Sequence, residues 1–243
     1  MISNFYKLSI VTVVYNSSNT IQATFESIIS QTFDNYEYIV IDGNSTDCTL
    51  DIIKKYQDKI TYWLTEPDKG IYDAMNKALK HVKGDYVLFM GADDIFLNRD
   101  ALNDFMSNSD LRPDTINYGN VIFSNTKKIY DGHFGKFKLA TRNICQQAIL
   151  YPKSVFSERV FDLKYRIKAD HEFNLYLYGN KKFRFNYVDQ TLAIFNVEGT
   201  SGTSNDDDFE NEKPFIVRRY LGTIPFIYIY LRKFLSTFFR FNK

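Results

Sequence analysis

At 243 residues, with 44% hydrophobic and 24% charged residues, the chain can fill the core of one large domain and is too short for two comfortable ones. That composition excludes a disordered or fibrous chain, no apolar run reaches the roughly 20 residues of a spanning helix, and the two cysteines, Cys48 and Cys145, form neither a disulfide framework nor a metal-spaced pair. The net charge of +1 hides an asymmetry: from Lys213 onward there are seven basic and no acidic residues, which leaves 23 basic against 29 acidic before it.

No basic, apolar leader precedes the first strand pattern, so a cytoplasmic, reducing setting is expected, with both cysteines as small buried side chains. Leu8 to Val14 reads as a strand ending at the turn formers Tyr15 to Ser18. Asn19 or Thr20 then caps a helix whose apolar residues Ile21, Phe25, Ile28 and Ile29 share one face. Tyr36 to Ile41 is the second strand, at the distance a βαβ crossover needs. Asp47 or Thr46 is expected to cap a helix through Leu50, Ile53 and Tyr56. A third strand spans Ile60 to Leu64, a helix starts near Ile71 and is expected to end at Gly84, and Tyr86 to Met90 is a fully apolar strand. This rhythm predicts a mostly parallel sheet with helices on both faces. Beyond about residue 112, Thr115 to Phe123 and Lys128 to Tyr130 read as antiparallel strands. A helix near Asp170 and two strands, Phe183 to Val188 and Leu192 to Val197, follow. Glu198 to Asp208 is small, polar and acidic, as a mobile loop or linker would be.

In a parallel series, the strand ends after residues 14, 41 and 90 fall on one edge of the sheet. That edge gathers Tyr15, Asn16, Asp42, Asp47, Asp93 and Asp94, with the loop Glu66 to Gly70 between them. Neither a GxGxxG nor a Walker-type loop is present, which disfavours a dinucleotide dehydrogenase or a P-loop NTPase. Carboxylates repel bare phosphates. Their presence fits a nucleotide site only if some bind base or ribose while at least one holds a cation that bridges to a diphosphate.

Four blocks in order, SIVTVVYN (9–16), IDGNSTD (41–47), DKGIYDAMNK (68–77) and GDYVLFMGADD (84–94), resemble the family 2 glycosyltransferases of GT-A fold, as found in bacterial surface-polysaccharide assembly. The similarity continues more weakly from Gln146 to Asp170. It implies an inverting, metal-dependent enzyme of the hexosyltransferase type, moving a sugar from a nucleoside diphosphate donor to a glycan or lipid-linked acceptor. On that resemblance Thr12, Tyr15, Asn16, Asp42, Asp68 and Asp93 form the nucleotide and donor pocket, Asp94 coordinates Mn2+ or Mg2+, and Asp170 is the catalytic base. Glu172 is the fallback base and His171 a surface residue. The pattern departs at Val14, where proline is common, and at Gln146, where histidine is frequent. A nucleotidyltransferase, or a nucleotide-sugar-binding protein without turnover, is the alternative reading.

The expected organisation is a glycosyltransferase domain at 1–212, with a nucleotide half to about 112 and an acceptor half at 113–212, then a basic aromatic tail at 213–243. Between Phe215 and Phe241 that tail carries nine aromatic residues among its basic ones. It is expected to touch a membrane surface or to pack on its own domain. An acidic body opposes nucleic-acid binding.

Overall fold

The computed structural model describes residues 7–130, 132–199 and 205–241. Residues 1–6 and part of the acidic linker, 200–204, lie outside them, as does Lys243 of the tail. Strands Leu8–Val14 (β1), Tyr36–Asp42 (β2), Tyr62–Thr65 (β3) and Tyr86–Phe89 (β4) pair in parallel in the order β3-β2-β1-β4. Helices Ile21–Ile29 (α1), Thr49–Tyr56 (α2) and Ile71–Ala78 (α3) make the crossovers. Alternation along each strand divides the core. Leu8, Ile10, Tyr38, Val40 and Leu88 meet Phe25, Ile28 and Ile53, whereas Val11, Ile39, Ile41, Val87 and Phe89 meet Ala74, Met75 and Ala78.

Gly84 does not end α3. The helix stops at Ala78, and a Cβ at Gly84 would stand 2.6 Å from both the Leu8 carbonyl carbon and the Ser9 nitrogen, so glycine is required by the close approach of two backbones. The Gly84 amide donates to Ser9 Oγ and to Glu37, whose buried carboxylate also accepts from Ser9 Oγ and the Lys83 amide.

The second half adds Ile95–Phe96 (β5), Ala101–Asn108 (α4), Thr115–Phe123 (β6), Ile129–Tyr130 (β7), Lys136–Thr141 (α5), Ile149–Pro152 (β8), Ser154–Glu158 (α6), Ala169–Asn180 (α7) and Arg184–Phe195 (β9). β8 runs antiparallel to both β4 and β6, β9 lies parallel to β6, and the nine strands form one sheet in the order β3-β2-β1-β4-β8-β6-β9-β5, with β7 paired to β6. The two strands expected between Phe183 and Val197 are thus one, with a register shift opposite Gly119. A Cβ at Gly119 would come within 2.6 Å of the Gln190 carbonyl oxygen.

The tail does not separate at residue 213. Helix Asp207–Leu221 (α8) crosses that point and buries Phe209, Ile216 and Val217 in the core. Asp206 caps it through Phe209 N (3.2 Å) and also accepts from the Ile167 and Lys168 amides. The break falls at Gly222, in the left-handed region at φ +90°, before helix Thr223–Phe241 (α9).

His171 is an interior residue rather than a surface one. It is 3% exposed, with Nε2 2.7 Å from the Leu139 carbonyl, which ties α7 to α5. Burial pushes its pKa down to about 3, with Lys213 and then Lys168 contributing the same sign. The folded pKa lies below the unfolded one, so the stability from neutral His171 is complete above about pH 6.5 and is lost progressively as pH falls towards about 3. Chemical denaturation as a function of pH will therefore show a loss in that window, and His171→Phe will flatten the slope by up to about 1.4 kcal/mol per pH unit. Gly84→Ala will lower unfolding stability by about 1–3 kcal/mol through overpacking, measured by urea titration.

Candidate active site

Strand direction decides which loops meet. β1, β2 and β4 all end at one edge; β8 is antiparallel to β4 and so begins there, and β9, parallel to β6, ends there. The segment before β8 and the residue after β9 therefore join the three loops of the parallel half.

Asp42, at the end of β2, is fully buried. Its carboxylate accepts from the Ser45 amide (3.1 Å), the Ser45 hydroxyl and the Thr65 hydroxyl, so it folds its own loop and fastens the end of β3. Asn16, in the left-handed region at φ +48°, accepts the Thr46 amide at 2.8 Å. Neither Asp47 nor Thr46 holds the N-cap of α2, which falls on Cys48; Asp47 instead accepts the amides of Thr49 (3.0 Å) and Ser18 (3.1 Å), joining the loops after β1 and β2. Thr12 is removed from the cleft altogether: it is buried in β1 and accepts the Tyr38 hydroxyl at 3.0 Å.

What these loops present outward is Tyr15, 60% exposed, and Asp68. A Cβ at Gly43 would stand 2.4 Å from Asp68 Oδ2 and 3.4 Å from the Tyr15 ring, which brings both side chains over the Gly43 backbone. Asp68 accepts the Gly70 amide (2.8 Å) at the start of α3. Lys77 holds this loop through the Pro67 carbonyl (2.7 Å) and Glu66 (2.9 Å).

The acidic pair after β4 divides in an unexpected way. Asp94, expected to coordinate the cation, is 1% exposed; Oδ1 accepts the Asn196 amide at 2.8 Å and Oδ2 accepts the Gln147 side-chain amide. Burial raises its pKa to about 7, and the neighbouring Asp93 charge adds to the rise. Asp93 is the half-buried member, with Oδ2 accepting Asn196 Nδ2 at 3.1 Å and its pKa raised by burial. Gly91 and Gly199 leave room for it, since a Cβ at either would meet Asp93 or Asp94 oxygens. Gln147 is the amide of this segment that reaches the pair; Gln146 instead lies 3.7 Å from Met75 Sδ.

Asp170 lies in the first turn of α7 without capping it: Lys168 holds that position. It accepts the Tyr72 hydroxyl (2.8 Å) and the His171 amide (2.8 Å) at Oδ1, and Asn143 Nδ2 (2.7 Å) at Oδ2. Burial raises its pKa, and the Tyr72 hydrogen bond opposes that rise. Glu172, the fallback base, is 3% exposed and paired with Arg159 at 2.9 Å, an environment less suited to proton transfer than that of Asp170. The five-residue stretch Asn143 to Gln147 thus touches Asp170 at one end and Asp94 at the other, and Tyr72 ties Asp170 to the helix that follows Asp68. Cys145 in this stretch is half-buried and Cys48 exposed, so neither is the interior side chain expected.

No group of three or more His, Cys, Asp or Glu side chains gathers among the described residues. The donor set still fits a hard divalent cation, which commonly takes one or two carboxylates and completes its shell with water and substrate phosphate. Asp93 can supply that carboxylate. Asp94 could do so only by giving up the Asn196 and Gln147 hydrogen bonds.

The family model for glycosyl transferase family 2 matches residues 9–170. The PGL/p-HBAD biosynthesis glycosyltransferase Rv2957 of Mycobacterium tuberculosis is 33% identical over 217 residues, covering 86% of this chain and 85% of that protein. The UDP-Glc:alpha-D-GlcNAc-diphosphoundecaprenol beta-1,3-glucosyltransferase WfaP of Escherichia coli is 42% identical over 97 residues, 40% of this chain and 39% of its own. Among solved structures, Staphylococcus aureus TarS 1-349 in complex with UDP-GlcNAc superposes with a TM-score of 0.69 at 22% identity, over 88% of this chain and 71% of that one. The mannosyltransferase PcManGT of Pyrobaculum calidifontis, in complex with GDP-Man and Mn2+, gives 0.65 at 14% identity, over 96% and 81%. The fold is GT-A, and the chain belongs to glycosyl transferase family 2 and is a glycosyltransferase.

Proposed function

We propose that this glycosyltransferase transfers a sugar from a nucleoside diphosphate donor with inversion, using Asp170 as general base, Tyr15 and Asp68 as the nucleoside wall and Asp93 as the protein ligand of Mn2+ or Mg2+. The observation that supports the reading is the five-residue bridge from Asn143 to Gln147, which links the half-buried Asp170 carboxylate to the acidic pair through two side-chain amides. Inversion needs a base on the face of the sugar opposite the leaving diphosphate, and Asp170 belongs to the acceptor half while Tyr15, Asp68 and Asp93 belong to the nucleotide half.

In the transfer, the acceptor hydroxyl gives its proton to an Asp170 oxygen as its own oxygen attacks the anomeric carbon. The bond from that carbon to the diphosphate breaks, and the nucleoside diphosphate leaves with the electron pair. When bound, a divalent cation supplies Lewis-acid stabilisation of the charge growing on the leaving phosphate. Tyr72 and Asn143 hold the Asp170 carboxylate through the step, and the raised pKa from burial makes it a better base than a solvated aspartate. By analogy with the Escherichia coli relative, whose name gives a diphosphoundecaprenol-linked acceptor, we assign a lipid-linked glycan acceptor, reached at the cytoplasmic face of a membrane during surface polysaccharide assembly.

Calorimetry with UDP, with and without Mn2+, separates the acidic pair: Asp93→Asn abolishes the Mn2+-dependent gain in affinity with the fold intact, whereas Asp94→Asn lowers unfolding stability by about 1–3 kcal/mol through a mispaired buried amide. Asp170→Asn keeps nucleotide binding and lowers turnover by roughly 10²–10⁴-fold on a panel of UDP-, GDP- and dTDP-sugars. Tyr72→Phe removes a hydrogen bond that holds the Asp170 pKa down, so the acid limb of its kcat profile moves to higher pH.

A further inference from the structure

Helix α9 carries apolar residues on two opposite sides. Pro225, Phe226 and Ile229 turn towards the domain, and Tyr228 meets Phe137 of α5 edge-on at 5.2 Å between ring centroids. The other side presents Ile224, Ile227, Leu231, Phe234 and Leu235, each between 47% and 67% exposed, with steps of three and four residues from Ile224 to Leu231 and from Leu231 to Phe234 and Leu235. An outward stripe of this kind carries a free-energy cost in water that a soluble helix normally avoids.

The charges around it narrow the occupant. Arg218, Arg219 and Arg232 are exposed, the Arg218 guanidinium lies over Phe226 at 5.5 Å beside the start of α9, and the chain has no acidic residue from Lys213 to its end. Two copies pairing through this stripe would set one basic segment against another. An anionic lipid surface instead complements the arginines and takes the apolar side chains at the acyl boundary. No helix among the described residues is long and apolar enough to cross a membrane, so α9 would lie in the plane of the surface.

We infer that α9 is an in-plane anchor for anionic phospholipid, inserted through Ile224, Ile227, Leu231, Phe234 and Leu235 and flanked by Arg218, Arg219 and Arg232. This deepens the membrane-side setting assigned to the acceptor, and the anchor keeps the cleft beside the surface that carries a lipid-linked substrate.

Flotation of the full chain with phosphatidylcholine vesicles, with and without phosphatidylglycerol, tests it without donor or acceptor, so failure here leaves the sugar-transfer reading standing. The chain is expected to float with phosphatidylglycerol vesicles and to be released by salt. Leu231→Glu with Phe234→Glu will weaken partitioning roughly tenfold or more, and the triple change Arg218→Gln, Arg219→Gln, Arg232→Gln will bring it down to the phosphatidylcholine level. Thermal unfolding by circular dichroism confirms that each variant is folded. The inference is overturned if the chain ignores anionic lipid, if the folded glutamate variant floats as well as the parent, or if sedimentation shows a dimer that those glutamates dissolve without any vesicle binding.

Discussion

A carboxylate taken out of water must be given hydrogen-bond donors, and that requirement organises this molecule. Glu37, Asp42 and Asp94 are nearly or fully enclosed, and each is surrounded by amides or hydroxyls of the chain itself. They hold loops together. Asp68, Asp93 and Asp170 are only half-buried, and we propose them for the ligand side of the same loops. On that proposal, solvent access rather than residue type separates scaffold carboxylates from chemical ones.

Sheet direction supplies the second constraint. Because β8 enters the sheet antiparallel to β4, the stretch from Asn143 to Gln147 arrives at the edge where the parallel strands end. Because β9 follows the direction of β6, Asn196 arrives there too and donates to both members of the acidic pair. The parallel half of the sheet and the second half of the chain are thus joined at that edge by neutral amides, which satisfy buried carboxylates without adding charge.

The parallel half was legible because its apolar runs, turn residues and crossover lengths are local signals. Tyr15, Asp42, Asp68 and the acidic pair were placed on one edge by strand polarity alone. Which of the two carboxylates is enclosed was not legible. Asp93 and Asp94 are adjacent at a turn, and their environments are set by Gln147 and Asn196, 53 and 102 residues further along from Asp94. The family resemblance put Thr12 in the pocket, yet strand alternation turns it to Tyr38. Gly84 and the interruption in β9 answer to close backbone approaches across the fold, and His171 to a carbonyl on α5. Composition showed the basic tail but not that its first helix belongs to the core.

Soaking crystals with UDP and Mn2+ and locating the ion by its anomalous signal tests the central claim most directly. The ion is expected on an Asp93 oxygen and the diphosphate, at a coordination distance of about 2.1 Å, with Asp94 still bound to the Asn196 amide. An ion on Asp94 with Asn196 displaced, or a diphosphate seated away from Asp93, would contradict it.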